Sequence, residues 1–125
     1  MIKLLLVDDE KGLCDNLKGF FKVSGFNVLI ATNGQDALSL VKKEKPKIVF
    51  LDIQMSGMSG LEVLKEIKKI DNSIKVIMVT VLDDEKTRAE AKQLGADEFI
   101  AKPFITDYLE EVVTRKVEEL LKEKE

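Results

Sequence analysis

Short apolar runs alternate along the chain with longer segments in which apolar residues recur every three or four positions. The runs at 3–7, 27–31, 48–51, 76–79 and 98–101 are of strand length. Between the first two, Leu13, Leu17, Phe20 and Phe21 make a helical stripe over 10–23, which Ser24-Gly25 ends. Asn33-Gly34 turns into a second helix over 35–43, with Ala37, Leu38 and Val41 inward, and Pro46 stops it. Leu61, Val63, Leu64, Ile67 and Ile70 mark a third helix after a Ser- and Gly-rich loop at 54–60. Residues 84–94 predict a polar, lightly amphipathic fourth helix closed by Gly95. The last helix starts near 107, with Leu109, Val112, Val113, Val117, Leu120 and Leu121 in helical period.

These segments make five βα units. The runs at 48–51 and 76–79 are apolar at every position, as in strands buried on both faces. A parallel sheet with helices on each side follows, and right-handed crossovers restrict it to a doubly wound α/β sheet. At 125 residues the chain suits one domain with one core.

Composition narrows the chemistry. The chain is 45% hydrophobic and 34% charged, as in a soluble globular protein. Its net charge of -3 offers no overall basic field for nucleic acid. The apolar run before Asp8 is too short for a signal peptide or a membrane span, which predicts a cytoplasmic protein. Cys14 is the single cysteine and histidine is absent. Serine or cysteine catalysis through histidine and histidine-bound zinc are therefore excluded. Carboxylates, hydroxyls and lysines must do any chemistry.

Ligands of open parallel sheets bind at the carboxyl ends of the strands. Those ends carry Asp8-Asp9, Asp52, Thr80 and Ala101-Lys102-Pro103. Two unit charges about 4 Å apart repel by about 4 kcal/mol at an effective dielectric near 20. A hard divalent cation and Lys102 would offset that repulsion and form a pocket for a phosphoryl group. A carboxylate inside such a pocket can act as a nucleophile.

The pieces Leu6-Val7-Asp8-Asp9-Glu10, Val49-Phe50-Leu51-Asp52-Ile53-Gln54-Met55 and Gly57-Met58-Ser59-Gly60-Leu61-Glu62 stand in this order. Val79-Thr80, Gly95-Ala96-Asp97 and Lys102-Pro103-Phe104 complete them. With them the whole chain, 1–125, resembles a response-regulator receiver domain of two-component systems, of the chemotaxis type. The resemblance implies a flavodoxin-like sheet in the order 2-1-3-4-5 with five helices. It implies that Asp52 accepts a phosphoryl group from a histidine kinase or phosphohistidine protein. Mg²⁺ or Mn²⁺ would be bound by Asp9, Asp52 and the Gln54 backbone carbonyl, with Asp8 acting through water. Thr80 and Lys102 would stabilise the phosphoryl group, Phe99 would be the aromatic that moves inward with Thr80, and the Lys102–Pro103 peptide would be cis. The face of the fourth helix, fifth strand and fifth helix would be read by an effector or output domain. Homodimerisation on phosphorylation belongs to the same implication, whereas membrane or direct nucleic-acid binding does not.

Some positions depart from the family. Ser56 stands where proline is usual, and Val81 is bulkier than the usual small residue. Gln54, Val81 and Leu82 occupy positions that tune access and phosphoryl lifetime. An apolar Leu82 orients no water, so slow self-dephosphorylation is expected from a switch that is not a turnover enzyme. Self-phosphorylation from small donors with Mg²⁺ would accompany it. Two alternatives stand beside this reading: a dehalogenase-type phosphatase and a phosphorylation-independent pseudo-receiver. The first requires an Asp-x-Asp after the first strand, which Asp8-Asp9-Glu10 lacks, and the second does not need the full set of five residues. The last helix, 106–125, is either a plain terminal helix or a join to a dimer partner or output domain.

Overall fold

The structure, a computed structural model, describes residues 2–9, 18–19, 21–23, 25–55, 57–80, 84–101, 115, 118–119 and 122. Strands β1 (Lys3–Val7), β2 (Asn27–Ala31), β3 (Ile48–Leu51), β4 (Lys75–Thr80) and β5 (Glu98–Ala101) form one sheet in the order β2-β1-β3-β4-β5. Every neighbouring pair is parallel. This is the doubly wound parallel sheet expected from the apolar runs, in the flavodoxin-like order that the family resemblance implies. Helices α1 (Gly34–Glu44), α2 (Gly60–Ile70) and α3 (Glu85–Gln93) are the second, third and fourth predicted helices. Residues 18–19 and 21–23 are helical within the first predicted helix, and 115, 118–119 and 122 within the last. The rest of those two helices, including Cys14, lies outside the described residues.

Strand alternation divides the core between the two faces of the sheet. Leu5, Val7, Val49, Leu51, Val76 and Met78 face Ala37 and Val41 of α1, Val63, Leu64 and Ile67 of α2, and Ala91 of α3. Leu4, Leu6, Ile48, Phe50, Ile77 and Val79 form the other face, where Phe21 packs on Phe50 with ring centroids 5.3 Å apart. Ile70, which marks the third predicted helix, is 38% exposed. It is the last residue of α2, so the apolar period runs one step past the edge of the core.

Each of these helices starts on a side-chain cap. The Asp36, Glu62 and Thr87 amides donate to Asn33 Oδ1, Ser59 Oγ and Asp84 Oδ1 at 2.9, 3.3 and 2.7 Å. The Thr87 amide, followed by the Thr87 hydroxyl, holds the Asp84 carboxyl below the usual carboxylate range. α1 stops at Lys45, which is left-handed at φ 50°. The following Pro46 disfavours a helical conformation there, which is the breaking effect expected of it.

Asp97 ties the other end of the sheet. Its Oδ2 accepts from the Val76 amide at 2.9 Å and from Lys68 Nζ at 3.1 Å, while Lys75 Nζ lies 3.8 Å from Oδ1. Lys68 Nζ also donates to the Ile74 carbonyl at 2.6 Å. One carboxylate thus joins α2, β4 and the start of β5. Removing it would strand the amide of fully buried Val76 and take a carboxylate partner from two partly buried ammonium groups. Asp97→Ala is expected to cost about 2–3 kcal/mol of stability, and Asp97→Asn less, because the amide oxygen still accepts from Val76. Urea unfolding of the two variants measures the difference.

Candidate functional site

The register Val7↔Leu51 between β1 and β3 sets the next residues, Asp8 and Asp52, side by side. The Asp8 amide donates to the Ala31 carbonyl at 3.2 Å and the Asp52 amide to the Val7 carbonyl at 3.0 Å. The sheet's hydrogen bonding therefore extends one residue beyond the strands and holds both backbones. Asp8 and Asp52 are each only 6% exposed, while Asp9 is exposed. One oxygen from each of these three carboxylates lies within 4.8 Å of the others. At that spacing each charged pair repels by roughly 3–4 kcal/mol at an effective dielectric near 20. The Gln54 amide donates to Asp52 Oδ1 at 3.2 Å, which offsets part of this.

Gly60 brings the start of α2 against the acid-bearing loop. Its amide donates to the Ile53 carbonyl at 2.9 Å. A Cβ here would collide with the Asp52 carbonyl oxygen and come within 2.6 Å of Ile53 Cα. Only a residue without a side chain permits that approach.

Thr80 is the last residue of β4, fully buried, and pairs with Ala101 of β5. Since Leu51 pairs with Met78, Thr80 lies one step beyond the level of Asp52 on the neighbouring strand. Phe99 is half-buried opposite Met78, and the Arg88 guanidinium carbon lies 4.5 Å from its ring centroid. The structure thus gathers Asp8, Asp9, Asp52, Gln54 and Thr80 at the carboxyl edge, with Phe99 on the adjacent strand. Val81, Leu82, Lys102, Pro103 and Ser56 lie outside the described residues. The chain enters Lys102 directly from Ala101, the register partner of Thr80.

The donors are all carboxylate oxygens, with no histidine or cysteine in the group. Such a set fits a hard divalent cation and not a soft one. Among the described residues, no helix is long and apolar enough to cross a membrane.

The family model for the response regulator receiver domain matches residues 4–114. The chain belongs to that family. The receiver is 40% identical over 113 residues to the sporulation initiation phosphotransferase F of Bacillus subtilis, covering 90% of this chain and 91% of that protein. It is similar in structure to a CheY-like receiver domain protein from Methanospirillum hungatei, at TM-score 0.89 and 29% identity over 98% of each chain. It also resembles NtrX from Brucella abortus, at TM-score 0.85 and 33% identity, covering 99% of this chain but 29% of that one. The expected two-component receiver is therefore the family found.

Three contributors escaped the sequence reading. Gly60 appeared only as part of a motif, and its Gly after a capping Ser was the available signal. Asp97 likewise lay inside Gly95-Ala96-Asp97 with no partner visible. Arg88 sits on a polar helix whose sequence says nothing of an aromatic neighbour. Gly60→Ala in this receiver is expected to lose about 1–3 kcal/mol by overpacking. It should also weaken any binding of a divalent cation by the three carboxylates, because the backbone displaced is that of Asp52. Thermal unfolding and Mg²⁺ calorimetry on the same variant check both effects.

Proposed function

We propose that this receiver takes a phosphoryl group onto Asp52 from a phosphohistidine protein and passes the change to a partner. The observation that supports this best is the convergence of Asp8, Asp9 and Asp52 oxygens within 4.8 Å of one another at the carboxyl edge of the sheet. In transfer an Asp52 carboxylate oxygen would form a bond to phosphorus as the donor's phosphorus–nitrogen bond breaks. The electron pair returns to the imidazole nitrogen. No histidine stands among these 125 residues, so the phosphohistidine lies outside them.

Asp9, Asp52 and the Gln54 carbonyl would hold Mg²⁺, with Asp8 acting through water. The cation supplies charge neutralisation on the phosphoryl oxygens. Lys102 would contribute a second fixed positive charge, and the Thr80 hydroxyl would donate to a phosphoryl oxygen. The added charge of about -1.5 to -2 biases an existing equilibrium between two conformations. Phe99 would turn inward with Thr80 and alter the face of α3, β5 and the last helix. Residues 1–125 act as one receiver domain, a switch whose own dephosphorylation is slow. Its partners are a kinase or phosphotransfer protein and an effector or output domain.

Acetyl phosphate with Mg²⁺ tests the assignment. Wild type should gain the mass of one phosphoryl group in a hydroxylamine-labile bond, and Asp52→Asn should gain none. Equal labelling of Asp52→Asn would refute the acceptor.

The lifetime has its own measurement. Leu82→Glu places a base where none stands and should speed loss of the phosphoryl group at least about tenfold, below the 10²–10⁴ of a well-placed base. Decay of the labelled protein at neutral pH gives the ratio. An unchanged rate would remove Leu82 from the tuning positions.

A further inference from the structure

α3 is attached to the sheet by little apolar surface. Ala91 is its only buried residue, and Glu85, Lys86, Glu90 and Lys92 are exposed. Arg88 makes a contact of another kind. At 4.5 Å from the Phe99 centroid, its guanidinium is within cation–π range. Met78 and Thr80 share one face of β4, and Phe99 stands beside Met78 in the register. The ring therefore occupies the same sheet face as the Thr80 hydroxyl. A cleft of about 190 Å³ lined by Arg88, Ala91, Ala96 and Glu98 flanks the ring, so its position is not fixed by close packing on that side.

Chain connectivity links the two ends of this arrangement. Residues 81–83 join Thr80 to Asp84, which caps α3 through the Thr87 amide. Arg88 follows one turn later, and its amide donates to the Asp84 carbonyl at 3.0 Å.

We propose that Arg88 is a positioning residue that opposes phosphorylation by holding the Phe99 ring in its half-buried place under the guanidinium. This rests on the reading of Asp52 as acceptor and Phe99 as the aromatic that turns inward. A contact present in only one of two states favours that state and weakens a ligand of the other by the same factor. Arg88 acts through Phe99 and touches no phosphoryl group.

The test is the affinity of beryllofluoride, with Mg²⁺ present, for wild type, Arg88→Ala, Phe99→Leu and the double variant, measured by calorimetry. Arg88 is exposed, so its removal should leave the fold intact, which circular dichroism checks. Arg88→Ala should bind about two- to fivefold more tightly, the factor carried by an exposed cation–π contact. In the Phe99→Leu background the same substitution should gain clearly less, since no aromatic face remains. Unchanged or weaker binding by Arg88→Ala would overturn the proposal. So would an equal gain in the Phe99→Leu background, which would indicate a general charge effect. If wild type binds no beryllofluoride, the acceptor reading itself fails. Wild-type binding with no effect of Arg88→Ala removes Arg88 alone.

Discussion

Parallel pairing of β1 with β3 in a single register is the constraint on which the site depends. With Val7 opposite Leu51, Asp8 and Asp52 leave the sheet as neighbours, and their backbones remain tied by sheet hydrogen bonds. A shift of one residue would exchange the two core faces and cannot be tolerated where both are buried. The apolar residues of the two faces thus act at a distance on the carboxylates. They hold two nearly buried acids together against a repulsion that neither would accept in solution.

A second restraint comes from α2. Its first residue, Gly60, lies so close to the Asp52 carbonyl that no side chain fits. Ser59 caps the same helix, while Val63, Leu64 and Ile67 anchor it to the core. The position of Asp52 is therefore set from the strand before it and from the helix after it. Asp97 does comparable work at the opposite edge, joining α2, β4 and β5 through one carboxylate.

How much of this the sequence disclosed depends on the range of the interaction. Strand runs and helical stripes are local, so the five strands, the helices α1 to α3 and a doubly wound parallel sheet followed from period and chirality, whereas the strand order came from the family resemblance. The acids at the ends of β1 and β3 were legible because topology brings strand ends together whatever the side chains do. Ile70 belongs to the helix it marks, yet period alone does not tell that the core ends before it. The Asp97 contacts span 21 and 29 residues, and nothing in a window around Asp97 marks Val76 or Lys68 as partners. The Arg88–Phe99 contact depends on how a weakly amphipathic helix rotates against an edge strand, which no pattern of polarity encodes.

The topology also begins to answer the repulsion it creates. In a parallel βα fold the helices run back against the strands, so α1, α2 and α3 all start at the carboxyl edge. Their amino ends carry partial positive charge toward the acids, each helix end contributing about 0.3–1 kcal/mol. Their carboxyl ends lie at the far edge, where Lys42 and Lys43 of α1, Lys68 and Lys69 of α2 and Lys92 of α3 complement them. The last turns of these helices thus set five lysines at the edge away from Asp8, Asp9 and Asp52. Helix ends worth under about 1 kcal/mol each cannot cancel carboxylate pairs that repel by roughly 3–4 kcal/mol. The remainder calls for a mobile or fixed cation at the acid edge. A hard divalent cation would meet that need with the oxygen donors gathered there, which is the physical argument for the proposed coupling of metal binding to phosphoryl acceptance.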